Sequence, residues 1–266
     1  MEINRNNILD LCESNNIKPD KDYGQNFLID PNVSKRIVDL LNVQSDERVL
    51  EIGPGLGSLT HFLSLLPNDS DVVDIDYDMV GFLNMVYTSN KNINIILNDI
   101  RKHEVDSYDK IIGNLPYNIT TDIITYLLIN KGKTKRMVLM CQNEAFNHFN
   151  DTKGSEYGPT SVLLHLIADI KREFLVGKGS FYPAPKVESV VFSINFKEEI
   201  DEDVFKVYKL SKSLFLNRRK TILNNLSRHL NDKDKANEIL NKCQIPLNFR
   251  PEQLTPEQYR LIYKNI

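Results

Sequence analysis

Short apolar runs alternate along most of the chain with segments whose apolar residues recur at helical spacing. The short runs are typical of buried strands, and the helical spacing predicts helices that bury one face. Strands that alternate with helices in this way favour a parallel sheet covered by helices. Strands are predicted at 48–52, 71–76, 94–97, 109–113, 137–141, 172–176 and 189–196, and helices at 5–15, 31–41, 58–66, 121–129 and 161–168.

The pattern changes near residue 197. An acidic segment at 198–203 interrupts it, and the remainder shows only helical spacing. We therefore predict an α/β domain at 1–196, whose last strand ends the sheet, and a smaller all-helical domain at 197–266.

The first predicted strand runs directly into the tight loop Gly53-Pro54-Gly55-Leu56-Gly57 and then into a helix. Strand, glycine loop and helix in this order open the nucleotide-binding half of a doubly wound sheet. Glycines let the backbone approach a ligand, and the helix amino terminus offers free N–H groups. The G-x-G-x-G spacing differs from the G-x-G-x-x-G that seats a pyrophosphate. It favours S-adenosylmethionine, which has no phosphate, while a nicotinamide cofactor remains an alternative.

Acidic residues accompany the predicted strands. Glu51 lies within the first strand, and Asp99 follows the third. Asp74 stands 17 residues after Gly57, near the roughly 20-residue distance at which a carboxylate binds ribose hydroxyls. Such carboxylates would attract the amino and sulfonium groups of S-adenosylmethionine, and Asp99 would accept from an adenine amino group. For Asp74 the alternative is a solvated strand end with a helix cap, and for Asp99 it is the cap of a turn.

The apolar run 110–113 ends in Asn114-Leu115-Pro116-Tyr117. Because a residue before proline is held extended, the Leu115 carbonyl has a nearly fixed direction beside the Asn114 side-chain oxygen. Two adjacent acceptors suit the two hydrogens of an exocyclic amine, and Tyr117 offers a face on which a base stacks. The alternative is an ordinary Asn-Pro turn. Phe181, near two prolines, is either a second aromatic wall or core packing.

An amide-rich stretch, Gly24-Gln25-Asn26-Phe27-Leu28, precedes the helix that begins at Asp30-Pro31. It is either a simple turn or a segment that folds over a ligand, so Gln25, Asn26 and Leu28 are candidate ligand contacts.

The net charge of −3 conceals an asymmetry, because residues 1–196 carry −7 and residues 197–266 carry +4. Residues 204–231 contain seven Lys or Arg and no acid, including Arg218, Arg219 and Lys220. Unbalanced basic helices suit a phosphate backbone, although a solvated basic face is the alternative.

Cys12, Cys141 and Cys243 lack metal-ligand spacing, so we predict reduced, buried thiols and no metal site. No apolar run reaches the length of a membrane span, and the first residues lack a signal-peptide pattern. We expect a cytoplasmic protein without a membrane partner.

Taken together, these motifs resemble the ribosomal RNA adenine N6-dimethyltransferases over nearly the whole chain. The resemblance rests on 24–28, 51–57, 114–118, 181–187 and 218–221. Leu115 and the segment 250–255 are similar to the branch that modifies small-subunit RNA. The sister branch, which methylates large-subunit RNA and confers macrolide resistance, usually has Ile at the position of Leu115.

The resemblance implies a Rossmann-like seven-stranded methyltransferase sheet with a small helical domain. It also implies dimethylation of two adjacent adenines near the 3′ end of small-subunit (16S-type) ribosomal RNA, during subunit biogenesis, by an enzyme we expect to be monomeric. Tyr117 and Phe181 match the aromatics that sandwich the adenine. The matching S-adenosylmethionine contacts are Asn26, Leu28, Gly53, Asp74, Asp99 and Asn114.

Two departures stand out. Asp74 replaces the usual Glu, and Asp20 and Asp22 stand where basic residues are common. Three alternatives remain: a large-subunit adenine methyltransferase conferring macrolide resistance, a non-catalytic relative such as the mitochondrial transcription factors, and a nicotinamide oxidoreductase.

Overall fold

A computed structural model describes residues 1–20 and 25–266, so Asp22 and Gly24 lie outside the described residues. The described chain divides into two compact units, Met1–Ala145 with Lys171–Asn195, and Phe146–Ile170 with Phe196–Ile266. The second segment of the second unit begins at Phe196, close to the predicted domain boundary at 196/197. The unit also includes residues 146–170, which the sequence pattern assigned to the first domain. The reason is packing, because Tyr157 and Val162 belong to the same hydrophobic cluster as the carboxyl-terminal helices.

The predicted strands and helices are present, and an additional helix at Tyr77–Tyr87 lies between two predicted strands where none was predicted. The strands are β1 (Phe27–Leu28), β2 (Val49–Ile52), β3 (Ser70–Asp74), β4 (Ile93–Leu97), β5 (Lys110–Asn114), β6 (Arg136–Gln142), β7 (Ala168–Val176), β8 (Phe181–Tyr182) and β9 (Ser189–Phe196). The helices are α1 (Ile8–Ser14), α2 (Pro31–Leu41), α3 (Ser58–Leu63), α4 (Tyr77–Tyr87), α5 (Thr120–Ile129), α6 (Asn143–Asn150), α7 (Pro159–Ile167), α8 (Val204–Phe215), α9 (Ile222–Leu230), α10 (Lys233–Lys242) and α11 (Pro256–Tyr263). Short 3-10 turns lie at Ile100–Lys102, Lys178–Ser180 and Pro251–Gln253.

The main sheet has seven strands in the order β4-β3-β2-β5-β6-β9-β7, which confirms the predicted α/β class. Strands β4, β3, β2, β5 and β6 are parallel, and β9 is antiparallel to β6. The chain first builds outward from β2 to β4 and then returns to place β5 on the other side of β2. This reversal opens a crevice at the carboxyl ends of β2 and β5, where doubly wound sheets bind ligands. The last strand, β9, does not form the sheet edge, because it inserts between β6 and β7.

The central strands are apolar because helices cover both faces of the sheet. Every residue of β2 is buried, as are the first four residues of β5. The two strands approach closely at Gly113, where an added Cβ would lie 2.6 Å from the Ile52 carbonyl oxygen. Only a residue without a side chain fits there.

A second, two-stranded sheet pairs β1 with β8, with Phe27 opposite Tyr182 and Leu28 opposite Phe181. Strands of two residues carry no periodicity, so the sequence pattern did not predict them. This pairing orders the end of the amide-rich stretch.

In the second unit, the region after residue 203 contains helices α8 to α11 and no strand among the described residues, as predicted. Its core includes a row of rings in which Phe215 lies 5.7 Å from Tyr157 and 5.7 Å from Tyr259, measured between ring centroids. All three cysteines are free and buried, which confirms the predicted buried thiols. Among the residues that the structure describes, no helix combines the length and apolar character needed to cross a membrane.

The close approach at Gly113 makes a testable prediction. Gly113→Ala should lower the free energy of unfolding by about 1–3 kcal/mol, because overpacking forces β2 and β5 apart. Gly81→Ala is the matched control, since Gly81 is helical and a Cβ there would meet nothing within 4 Å. That control should be neutral or stabilising, because Ala favours helices by about 1 kcal/mol over Gly. Urea unfolding of both variants makes the comparison, and equal stabilities would contradict the close approach.

Candidate active site

A cavity of about 280 Å³ lies at the carboxyl ends of the parallel strands, in the first compact unit. The structure brings twelve of the predicted ligand and catalytic residues together in its lining. These come from β1 and the two residues before it, from β2, β3 and β5, and from the loops that follow the parallel strands. They are Gln25, Asn26, Leu28, Glu51, Gly53, Gly55, Asp74, Asp99, Asn114, Leu115, Pro116 and Tyr117.

The glycine loop after β2 has a backbone that requires glycine. Gly53, Gly55 and Gly57 have φ values of +62°, +54° and +89°, in the left-handed region that disfavours other residues. A Cβ at Gly55 would also lie 2.9 Å from the Phe27 ring. A larger residue at position 55 would therefore disturb both the loop and β1.

Glu51 is a buried carboxyl at the floor of the cavity. Its exposed fraction is 1%, and the Thr60 hydroxyl donates a hydrogen bond of 2.7 Å to its Oε2. Burial raises the pKa of Glu51 to about 8, although the Thr60 hydrogen bond opposes this shift. Without a cation nearby, Glu51 is therefore protonated at neutral pH.

Asp74 ends β3 on the same side of the cavity. Its Oδ1 accepts from the Asp76 backbone N–H at 3.0 Å, and its Oδ2 from that of Gly55 at 3.4 Å. Burial nevertheless raises the pKa of Asp74 to about 6. Since neither Glu51 nor Asp74 forms an ion pair within the described residues, the cavity holds two uncompensated carboxyl groups.

Asp99 has a different environment. Its Oδ1 accepts from the backbone N–H and Nε of Arg101 at 2.9 and 3.0 Å, and its Oδ2 from a guanidinium nitrogen at 2.8 Å. These side-chain hydrogen bonds lower the pKa of Asp99. The cap predicted as the alternative for Asp99 is therefore present, because it begins the turn Ile100–Lys102. Asp99 also lines the cavity, so its contact with an adenine amino group stays a prediction.

Arg101 was missed at the sequence level, and so were the apolar cavity residues Ile75 and Ile100. Each isoleucine directly follows one of the acids, Asp74 or Asp99. An apolar residue after each strand-end acid is the signal that would have found them. The signal for Arg101 is its position two residues after a strand-end Asp, where its side chain reaches back to the carboxylate.

Asn114 carries the most informative polar atom of the cavity. Its Nδ2 donates to the Asn26 carbonyl at 3.3 Å, whereas its Oδ1 is buried without a hydrogen-bond partner among the described residues. A buried acceptor that lacks a partner is costly, which points to a ligand that donates to it.

The turn after Asn114 is held on both sides. The Leu115 N–H donates to the Met140 carbonyl at 2.9 Å, which continues the pairing of β5 with β6. The Pro116 carbonyl accepts from the Thr120 hydroxyl at 2.9 Å, at the start of α5. The position of the turn is therefore fixed by the sheet and by α5 before any ligand binds.

The two predicted aromatic walls lie in different environments. Tyr117 lines the cavity, and its hydroxyl is 3.0 Å from the Ser189 hydroxyl, which anchors the ring. Burial raises the pKa of Tyr117. Phe181 is 3% exposed, belongs to the hydrophobic core, and is absent from the residues that line the cavity. This burial fits the core-packing alternative, and an aromatic wall at Phe181 stays a prediction.

The predicted RNA-binding residues follow α8 in the second unit, and all three are exposed. Arg218 is engaged within this unit, because one guanidinium nitrogen donates to the carbonyls of Ser155 and Tyr157 at 2.7 and 3.0 Å. Arg218 thus holds the 154–157 loop, and a role in RNA binding by Arg218, Arg219 and Lys220 stays a prediction.

The segment 131–136 carries Lys131, Lys133, Lys135 and Arg136, and protein groups engage Lys133 and Arg136. Lys133 pairs with Asp109 at 2.7 Å, and Arg136 donates to the Leu40 carbonyl and to Asn195 at 2.9 and 2.5 Å.

The buried Glu51 predicts a pH dependence of stability. Because the folded-state pKa of about 8 exceeds the ordinary value, the contribution of Glu51 is fully present below pH 4.5 and is lost as pH rises towards 8. Glu51→Gln keeps a neutral acceptor for Thr60, so its free energy of unfolding relative to the parent should increase with pH by up to about 1.4 kcal/mol per unit. Urea titrations between about pH 5 and 8 measure this difference. Glu13→Gln, an exposed change, is the control, and a pH-independent difference for Glu51→Gln would refute the shift.

Comparison with known proteins agrees with this geometry. Residues 16–266 match the family model described as ribosomal RNA adenine dimethylase. Ribosomal RNA small subunit methyltransferase A of Mesoplasma florum is 38% identical over 263 residues, covering 93% of this chain and 98% of the relative. The protein of the same name from Malacoplasma penetrans is 35% identical, covering 96% of this chain and 94% of the relative.

Solved structures show the same fold at lower identity. A dimethyladenosine transferase from Plasmodium falciparum superposes with a TM-score of 0.75 at 23% identity, covering 90% of this chain and 98% of the other. The 23S rRNA methyltransferase ErmE superposes with a TM-score of 0.71 at 21% identity, covering 90% of this chain and 99% of the other. The match to the family model spans both compact units, and the chain belongs to the ribosomal RNA adenine dimethylase family.

Proposed function

We propose that this chain uses S-adenosylmethionine to dimethylate N6 of two adjacent adenines near the 3′ end of small-subunit (16S-type) ribosomal RNA, during assembly of that subunit. The Mesoplasma florum and Malacoplasma penetrans relatives, named as small-subunit methyltransferases, support the choice of subunit. The observation that carries the chemistry is the buried, unpartnered Oδ1 of Asn114 in the cavity. This oxygen can accept a hydrogen bond from an amine group of a bound ligand.

The cavity fits S-adenosylmethionine by charge. Asp99 is neutralised by Arg101, whereas Glu51 and Asp74 have raised pKa values that a cationic ligand would bring back down. Asp74 would hold the ribose hydroxyls, Asp99 the adenine amino group, and Gly53, Gly55, Asn26 and Leu28 would approach through their backbone. When bound, S-adenosylmethionine supplies an electrophilic methyl group on a positively charged sulfur.

The protein's part in the reaction is to orient the target amine. The Asn114 Oδ1 and the Leu115 carbonyl accept hydrogen bonds from the two N6–H groups, which favours a pyramidal nitrogen whose lone pair is free to attack. These acceptors also stabilise the positive charge that develops on nitrogen. Tyr117, anchored by Ser189, stacks on the base, with Phe181 as the proposed second wall. In the second transfer one hydrogen has become a methyl group, so one acceptor must release.

Arg218, Arg219 and Lys220 are proposed to contact the RNA phosphates. We propose that the protein acts in the cytoplasm as a monomer on the small ribosomal subunit.

Asn114→Ala tests the chemistry. Removing the acceptor should lower the methyl-transfer rate about 10²-fold, comparable to the loss of one charge-stabilising contact. Single-turnover transfer to unmethylated small subunits measures the rate. Calorimetry with S-adenosylmethionine is the control, and its affinity should fall much less than the rate. A near-normal rate would remove Asn114 from the chemistry.

The double variant Arg219→Glu with Lys220→Glu tests whether these residues bind the RNA of the small subunit. Arg218 is left intact because it holds the 154–157 loop. Binding to immature small subunits should weaken, and the dependence of log K on log salt should flatten by roughly one counterion per lost contact. The matched control is Lys233→Glu with Lys235→Glu, which makes the same charge change at exposed positions of α10.

Tritiated methyl transfer to small and large subunits, with the labelled bases mapped, completes this test. Label on adjacent small-subunit adenines is expected, and label on large-subunit adenine would establish the resistance-type alternative. If the control pair weakens binding as much as the test pair, then 219–220 are only part of a general basic field.

A further inference from the structure

Gln25 lines the cavity, yet both ends of its side-chain amide are engaged by protein groups. Its Oε1 accepts from the Asp20 backbone N–H at 2.8 Å, and its Nε2 donates to Asp76 Oδ2 at 2.6 Å. The Gln25 backbone N–H also donates to the Asp20 carbonyl at 3.0 Å. The side chain therefore connects the amino-terminal segment to the turn between β3 and α4.

Asp76 passes this connection on to Asp74. One Asp76 oxygen, Oδ1, caps α4 by accepting from the backbone N–H groups of Asp78 and Met79 at 2.9 and 3.4 Å. Its own backbone N–H donates to Asp74 Oδ1 at 3.0 Å. Because the same residue binds Gln25, caps α4 and orients Asp74, a shift at Gln25 reaches the Asp74 carboxylate.

The residues after Gln25 form one wall of the cavity. The Asn26 carbonyl accepts from Asn114, the Phe27 ring packs beside Gly55, and the Leu28 carbonyl accepts from the Ser58 hydroxyl. Segment 25–28 is thus attached at four successive residues, and Gln25 is the point that joins it to the β3–α4 turn.

We infer that Gln25 is a positioning residue that clamps the wall 25–28 against Asp76 and so sets how tightly the cofactor is retained. It acts through Asp76 and Asp74, because its Oε1 and its Nε2 are both engaged by protein groups. This inference rests on the proposed function for the identity of the cofactor, S-adenosylmethionine.

Gln25→Glu separates the clamp from simple electrostatics. The new side chain keeps an acceptor for the Asp20 N–H but places a carboxylate against Asp76, so the charge-assisted hydrogen bond is lost. Charge alone would tighten binding of a cationic ligand, whereas a broken clamp weakens it. We expect S-adenosylmethionine to bind at least about tenfold more weakly, in line with loss of a hydrogen bond to a charged group.

The double variant Gln25→Glu with Asp76→Asn is the matched rescue. The amide introduced at position 76 can donate to the carboxylate introduced at position 25, and Asn serves as well as Asp in capping a helix such as α4. The pair keeps its total charge while donor and acceptor change places. We expect the double variant to regain most of the lost affinity. Asp76→Asn alone, which leaves two amide donors facing each other, should bind weakly.

Calorimetric affinity and the dissociation rate of S-adenosylmethionine are measured for all four proteins, together with KM, kcat and the unfolding midpoint. The clamp predicts that the loss falls on KM and dissociation, not on kcat. Unchanged affinity in Gln25→Glu, or no recovery in the double variant at an unchanged unfolding midpoint, overturns the clamp. If the parent protein itself fails to bind S-adenosylmethionine, the proposed function fails instead, so the two failures are distinct.

Discussion

The parallel pairing of β2 with β5 is the constraint on which the site depends. It places Ile52 opposite Gly113, so that the loop at Gly53 and the side chain of Asn114 emerge side by side. The approach is close enough that Gly113 has no room for a side chain. Because the chain reverses its direction of building between these two strands, the connections that follow them lead away in opposite directions and leave a crevice at the strand ends.

Within this crevice, burial decides the electrostatics. Asp99 is balanced by Arg101, and its pKa is lowered, but Glu51 and Asp74 are desolvated without a cation among the described residues, and their pKa values are raised. The Asn114 oxygen adds a further unsatisfied acceptor. A cavity that presents acceptors and uncompensated acids is complementary to a cationic ligand and an amine donor. This complementarity links the fold to the methyl transfer proposed for the family member described here.

Hydrogen bonds from distant segments then set the shape of the cavity. The wall 25–28 is attached to β5 through Asn114, to α3 through Ser58 and to the β3–α4 turn through Gln25. In the second unit, Arg218 performs a comparable task by holding the 154–157 loop. In both cases a polar side chain whose sequence motif suggests ligand contact also makes defined contacts within its own unit.

The sequence by itself determined the α/β class, the seven strands of the main sheet and twelve of the residues that line the cavity. Apolar runs, glycine spacing and strand-end acids are local signals, and parallel strands bring their carboxyl ends to one edge whatever their order. The resemblance of the motifs to a family determined the expected reaction.

Only the tertiary structure decided which of the acids is paired with a cation and which residues are buried in the core, as Phe181 is. It also decided that β9 inserts between β6 and β7 and that residues 146–170 pack with the carboxyl-terminal helices. These outcomes depend on contacts between residues far apart in the chain. Arg101 neutralises Asp99 but pairs with neither Glu51 nor Asp74, and two-residue strands such as β1 and β8 exist only because they pair with each other. No local pattern encodes burial or partnership of this kind, and burial is what sets the chemistry of Glu51, Asp74 and Asn114.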